Sequence, residues 1–289
     1  MQEYIGIIGG SGLYAINEFT LEESLDVITP YGQPSALLKK GKLAGVNVVF
    51  LARHGEGHVL NPSEINYRAN IWAMKQVGVK AIFAVSAVGS LREEIKPGDM
   101  VLIDQFIDRT RGRISTFFEK GIVAHVSLAH PVSEYLRGLL AKGCDRCGVT
   151  CHNGGTYVCM EGPQFSTVAE SQFYRSLKAS VIGMTNLQEA KLAREAELAF
   201  ATLALCTDYD CWHPDHDHVT NEQVVATANK NAAIAQRILV EAVTLFDCKR
   251  TLEEDGILKN AIMTSRDKIT PDVIERLRPI VGKYYQTFS

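Results

Sequence analysis

The chain has 289 residues, 46% of them apolar, and a formal net charge of −3; it is long enough to bury a sizeable core as one large α/β domain or two small ones. That charge balance gives no general attraction to nucleic acid or to a membrane surface, and no apolar run approaches the length of a membrane span. Seven unevenly spread cysteines and no basic leader before Glu3 read as reduced thiols in the cytoplasm rather than a disulfide scaffold.

The first element is an apolar strand, Ile5 to Ile8, followed by Gly9-Gly10-Ser11-Gly12. Gly10, Gly12 and Ala15 fit the G-x-G-x-x-A form of a dinucleotide fingerprint. That fingerprint needs a helix after the turn and an acidic residue about 20 positions on. Leu13 to Thr20 shows no helical apolar stripe, and Asp26 comes early, just before a break at Thr29-Pro30-Tyr31-Gly32. A glycine turn with an interleaved serine also suits a smaller phosphate, held by backbone N–H groups and a hydroxyl. A plain strand-end turn fits as well, so this stretch alone leaves three readings open.

Val46 to Leu51 reads as a buried strand, and Asn61-Pro62-Ser63-Glu64 as a helix start with Ser63 as N-cap, the helix stopping near Gly78. Ala81 to Ser86 and Met100 to Asp104 are further apolar strands. A helix from about Val132 to Lys142 follows, and then Cys144, Cys147, Cys151 and His152, where helix gives way to strand. That cluster lacks a second ligand pair at finger spacing, so no metal is expected there. Thr156 to Met160, Val181 to Met184 and Phe200 to Cys206 are strand-like; Thr167 to Leu177, Gln188 to Glu197 and Glu222 to Phe246 are helical. Apolar strands alternating with helices predict an α/β fold, a single-domain mixed β-sheet flanked by helices. Residues 250–289 are more charged and read as a C-terminal helical appendage to one domain spanning 1–289.

Open α/β sheets bind ligands at the carboxyl ends of their strands. Polar residues follow several strands here: Ser11, Arg53 and His54, Ser86 and Ala87, Thr185, and Asp208 with Asp210. The first set suits a phosphate pocket of one guanidinium fork, one imidazole, hydroxyls and backbone donors. The two aspartates are two apart, which on a strand puts them on one face. Mutual repulsion raises such pKa values, so the pair suits a general acid beside a hydrogen-bond acceptor, or else a solvated Asx turn. His213 to His218 is rich in metal-ligand types but suits a solvated loop. Arg109-Thr110-Arg111-Gly112-Arg113 reads as a solvated face or an anion contact, since no aromatic residue interleaves with it.

Gly9-Gly10-Ser11-Gly12-Leu13, Arg53-His54-Gly55, Asn66-Tyr67-Arg68-Ala69-Asn70, Glu161-Gly162-Pro163-Gln164-Phe165, Gly183-Met184-Thr185 and Thr207-Asp208-Tyr209-Asp210-Cys211-Trp212 recur in order. Together they resemble the trimeric purine nucleoside phosphorylases, over nearly the whole chain from Ile5 to about Phe246. The resemblance implies a nucleoside phosphorylase-like fold and a glycine turn that binds inorganic phosphate, a co-substrate, with no cofactor and no metal. By resemblance Ser11, Arg53, His54, Ser86, Ala87 and Thr185 hold phosphate. Phe165, Ser166 and Met184 surround the nucleoside, and Asp208, with Asp210, gives or shares a proton with the purine. His125 is similar to a residue given to the neighbouring subunit's site, which implies a homotrimer.

Members taking 6-oxopurines carry Asn at the position of Asp208 and Glu at that of Ser166, so both residues here point to a 6-aminopurine. Asn221 stands where members with a 5′-methylthio substrate have Val, and Val224 still offers apolar surface nearby. The expected activity is phosphorolysis of 5′-methylthio-substituted adenosine. The alternatives are adenosine, a 6-oxopurine nucleoside, or nucleoside binding without catalysis. The run Asn186-Leu187-Gln188-Glu189 departs from the family's usual Thr-Val-Pro-Glu and is expected to alter the start of a helix with little chemical effect.

Overall fold

A computed structural model describes residues 3–10, 18–214 and 221–285, the side chains of 221–226 and 228 excepted. In chain order the strands are β1 (Tyr4–Gly9), β2 (Phe19–Leu25), β3 (Leu38–Leu43), β4 (Val46–Ala52), β5 (Val79–Ser90), β6 (Met100–Leu102), β7 (Gln105–Arg109), β8 (Cys151–Asn153), β9 (Thr156–Met160), β10 (Val181–Gly183) and β11 (Ala199–Asp208). The helices are α1 (Tyr67–Gln76), α2 (Glu134–Cys147), α3 (Val168–Ser176), α4 (Asn186–Glu195), α5 (Asn221–Thr244), α6 (Pro271–Arg276) and α7 (Arg278–Val281).

The described strands form one mixed sheet in the order β2-β3-β4-β1-β5-β10-β9-β7, with β11 on the other side of β5 and β6 and β8 beyond it. The centre is parallel: β1 runs with β4 and β5, and β5 with β11. Alternation by two sends neighbouring residues to opposite cores. Ile8, Ile82 and Phe200 pack with α1, α4 and the tail helices, whereas Ile7, Phe83 and Ala201 pack with α2 and α5. Burial on both faces is why these strands read as continuous apolar runs.

After β1 the next described element is a strand, β2, antiparallel to β3, and β1 itself pairs with β4 and β5. Among the described residues the βαβ unit that a dinucleotide site requires is therefore not built. Ser63 is not a helix cap. The Asn61 side chain accepts from the backbone N–H groups of Ser63 and Glu64, which makes a turn, while the Ser63 hydroxyl donates to Glu161. Helix α1 starts later, capped by the Asn66 side chain, which accepts from the Ala69 N–H at 3.1 Å.

Strand β5 creates the site. Along one edge it pairs with β1 up to Ala84, and further on with antiparallel β10 at Gly89 and Ser90. Its other edge is paired with β11 throughout this stretch. Val85 to Val88 thus lie between two departing neighbours, an opening of the kind that takes ligands in α/β sheets.

Candidate active site

A cavity of about 620 Å³ occupies this opening. Arg53, His54, Ser86, Ala87, Thr185, Phe165, Met184, Asp208 and Asp210 all line it. Ser86 and Ala87 were expected after a strand end; they lie instead within β5, exposed to the cavity because β1 has already left. Ser11 lies outside the described residues, as do the side chains of Asn221 and Val224 at the start of α5 and most of the His213 to His218 run.

Arg53 follows β4 and is buried. Its fork is not open to an anion in the expected way. Nε and Nη2 donate to the two oxygens of Glu189 at 2.5 and 2.9 Å, and Nη1 donates to the Val85 carbonyl at 2.8 Å. A guanidinium has five N–H donors, so two remain without an acceptor among the described residues. Glu189 is a buried partner of the site that sequence reasoning missed. A buried arginine requires a buried acid, but nothing local marks which one, since the two are 136 positions apart. Asn186 completes this group: its amide donates to Glu189 at 3.1 Å, and its side-chain oxygen accepts from Thr202.

His54 is neutral. Its Nδ1 lies 2.9 Å from the Leu60 carbonyl, which accepts only, so Nδ1 carries the hydrogen and Nε2 the lone pair. Burial, then the Arg53 charge, pushes its pKa down to about 4, with a smaller push from His58, whose ring stacks on it at 4.2 Å. His54 therefore offers an acceptor, suited to a protonated phosphate oxygen, rather than a cation. The Ser86 hydroxyl lies 3.2 Å from that of Tyr157, and Thr185, at the start of α4, does not spend its hydroxyl as a helix cap. A helix N-terminus there adds the positive end of its dipole.

The two aspartates meet by a turn, not by sharing a strand face. Strand β11 ends at Asp208, and Asp210 takes a left-handed backbone, φ 52°. The Asp210 N–H donates to Asp208 Oδ1 at 2.7 Å and the Thr207 hydroxyl to Oδ2 at 2.6 Å. Burial raises both carboxyl pKa values. It outweighs the hydrogen bonds to Asp208, and the charge of Asp210 adds least, so desolvation rather than mutual repulsion is the main cause.

Ser166 does not line the cavity; it stands one step behind, with its hydroxyl near Asp210 and its carbonyl accepting from the Cys211 thiol at 3.3 Å. His125 is exposed and does not line this cavity; its backbone N–H donates to the Ala261 carbonyl at 2.8 Å. His58, Asn61, Glu64, Gly89 and Thr207 are further lining residues. In the basic run Arg109 and Arg111 are exposed, as a solvated face requires, but Arg113 turns inward, with its side chain only 3% exposed.

A family model described as "Phosphorylase superfamily" matches residues 4–244. The chain belongs to the phosphorylase superfamily. Among phosphorylases similar to it is the S-methyl-5'-thioadenosine phosphorylase of Koribacter versatilis, 54% identical, with 99% of this chain and 98% of that protein covered. A crystal structure of methylthioadenosine phosphorylase from an antarctic soil metagenomic library superposes with a TM-score of 0.91 at 48% identity, covering 96% of this chain and 98% of that one. The methylthioadenosine phosphorylase from Schistosoma mansoni, solved in complex with adenine, gives 0.86 at 35% identity, covering 92% and 100%. Among the described residues no helix is long and apolar enough to cross a membrane, and no group of three or more His, Cys, Asp or Glu side chains is placed to hold a metal.

Proposed function

We propose that the chain is a pentosyltransferase that splits S-methyl-5′-thioadenosine with inorganic phosphate, releasing adenine and 5-methylthioribose-1-phosphate. The observation that carries this reading is the floor of the cavity. Ser86 and Ala87 lie at one end of the exposed stretch of β5. Gly89 lies at the other, so close to Asp208 that an added Cβ would be 2.9 Å from Oδ1. Three residues of strand span about 10 Å, which suits a phosphate at one end and a purine ring at the other.

Phosphate held by Arg53, His54, Ser86, Ala87 and Thr185, with Ser11, sits beneath the anomeric carbon. Its negative charge stabilises the oxocarbenium-like sugar as the base departs. A purine is a poor anion, so a proton at N7 lowers the barrier. Asp208, whose pKa burial raises, supplies it, and Asp210 accepts from the 6-amino group. Phe165 and Met184 pack on base and ribose, with Ser166 behind Asp210. A site that pairs an amine and an N7 proton leaves polar groups unpaired against a 6-oxopurine.

The reaction needs no metal or organic cofactor. By resemblance to the family, Asn221 and Val224 are assigned to the 5′ substituent. The exposed His125 serves the cavity of a neighbouring copy, in a homotrimer located in the cytoplasm. One domain carries all of this, with residues 250–289 as its appendage. Base release from methylthioadenosine, adenosine and inosine, each with and without phosphate, tests the reading. Phosphate-dependent adenine release, fastest from methylthioadenosine, is expected; preference for inosine, or release without phosphate, overturns it.

A further inference from the structure

The ladder between β9 and β10 ends at the pair Gly183 and Cys159. Beyond it the two chains run on as Met184 and as Glu161-Gly162-Pro163, and both line or border the cavity. Strand hydrogen bonds no longer join them there. Arg113, from a distant segment, takes their place. Its Nη1 donates to the Met184 carbonyl at 2.5 Å and its Nη2 to the Glu161 carbonyl. Further contacts fix the fork itself: Gln188 Oε1 and the Tyr67 hydroxyl each lie 3.3 Å from Nη1, and Ser63 Oγ lies 3.2 Å from Nε. The Glu161 carboxylate, 3.5 Å from Nε, balances the charge. The two chains also touch directly, since an added Cβ on Gly162 would lie 2.5 Å from the Met184 sulfur.

We infer that Arg113 is a positioning residue for the nucleoside: its guanidinium clamps the Met184 and Glu161 carbonyls together and so sets the ribose and base wall of the cavity, without touching the substrate. Arg113 itself does not line the cavity. A planar fork meets two fixed carbonyls at once, whereas an ammonium is a point donor on a flexible stem. The inference rests on the proposed reading of the cavity only for which ligand feels the change.

The test is Arg113→Lys, read two ways. In steady-state kinetics the nucleoside KM rises by about tenfold or more while the phosphate KM stays within about twofold, and kcat falls less than KM rises. In amide hydrogen exchange without substrate, peptides over 160–165 and 183–187 exchange faster while those over 84–88 keep their wild-type rate. If both KM values rise together, or if 160–165 and 183–187 exchange at the wild-type rate, the clamp is refuted. Should Arg113→Lys not fold, Gln188→Ala, which removes one acceptor of the fork, gives the same pattern at smaller amplitude, and its absence refutes the clamp. The exchange arm decides this even if the chain proves to act on another nucleoside; failure of phosphorolysis overturns the proposed function alone.

Discussion

Asp208 is suited to a clean test because asparagine fits its place. The Asp210 N–H would still find an acceptor at Oδ1. The new amide would donate to the Thr207 oxygen, and the Thr207 hydroxyl would turn to the Val88 carbonyl, already 3.2 Å away. Asp208→Asn therefore keeps the fold and loses only the proton. Removing a general acid lowers kcat by about 10²–10⁴-fold, with nucleoside binding by calorimetry close to wild type. The sign of the pH effect follows from the raised pKa: the active form is protonated, so kcat/KM declines as pH climbs through that pKa. The variant has no group to lose, so its alkaline limb flattens. A limb unchanged in Asp208→Asn would mean that another group donates.

At the scale of elements, β10 and the start of α4 show how a site is built from exclusions. An added Cβ on Gly183 would lie 2.0 Å from the Tyr157 hydroxyl, the same hydroxyl that lies 3.2 Å from Ser86. Gly183→Ala thus pushes Tyr157 away from Ser86, at the end of the cavity proposed to hold phosphate. Overpacking of this kind costs about 1–3 kcal/mol, read as a lower Tm, and a raised phosphate KM accompanies it; an unchanged phosphate KM would detach Tyr157 from the site. Much of this region was legible in the sequence. β1, β5 and β11 are buried on both faces and show it as apolar runs, and Thr167 with Glu170 forms the capping box that starts α3. β2 and β3 were not legible: β2 is exposed along most of its length, and in β3 three lysines and a glycine separate the two buried leucines, so no apolar face repeats every second residue. The partners of Arg53 and Arg113 were invisible for another reason. A buried arginine is satisfied by tertiary neighbours, Glu189 for one and two carbonyls for the other, and one-dimensional spacing carries no trace of them.

Across the whole molecule the tail ties the cavity's surroundings together. No described residue of 250–285 lines the cavity, yet Leu258, Val273, Leu277, Ile280 and Val281 belong to the core shared with α1 and α4. Glu197, buried between α4 and β11, anchors this packing. It accepts from the Leu258 N–H at 2.9 Å and the Tyr284 hydroxyl at 2.6 Å, and pairs with Lys283 at 2.5 Å. The tail in turn holds the segment carrying His125. The Val123 N–H donates to Thr264 at 2.8 Å, the Met263 N–H to the Val123 carbonyl at 2.8 Å, and the His125 N–H to Ala261 at 2.8 Å. If His125 serves a neighbouring copy, loosening the tail reaches that copy's nucleoside and not its phosphate. Glu197→Ala leaves a buried N–H and a hydroxyl unpaired, at a cost of about 1–3 kcal/mol, and protease cuts within 250–285 appear at concentrations the wild type resists. The nucleoside KM then rises and the phosphate KM holds. A tail that is cut with both KM values unchanged would be a passive cover for the apolar face of α1.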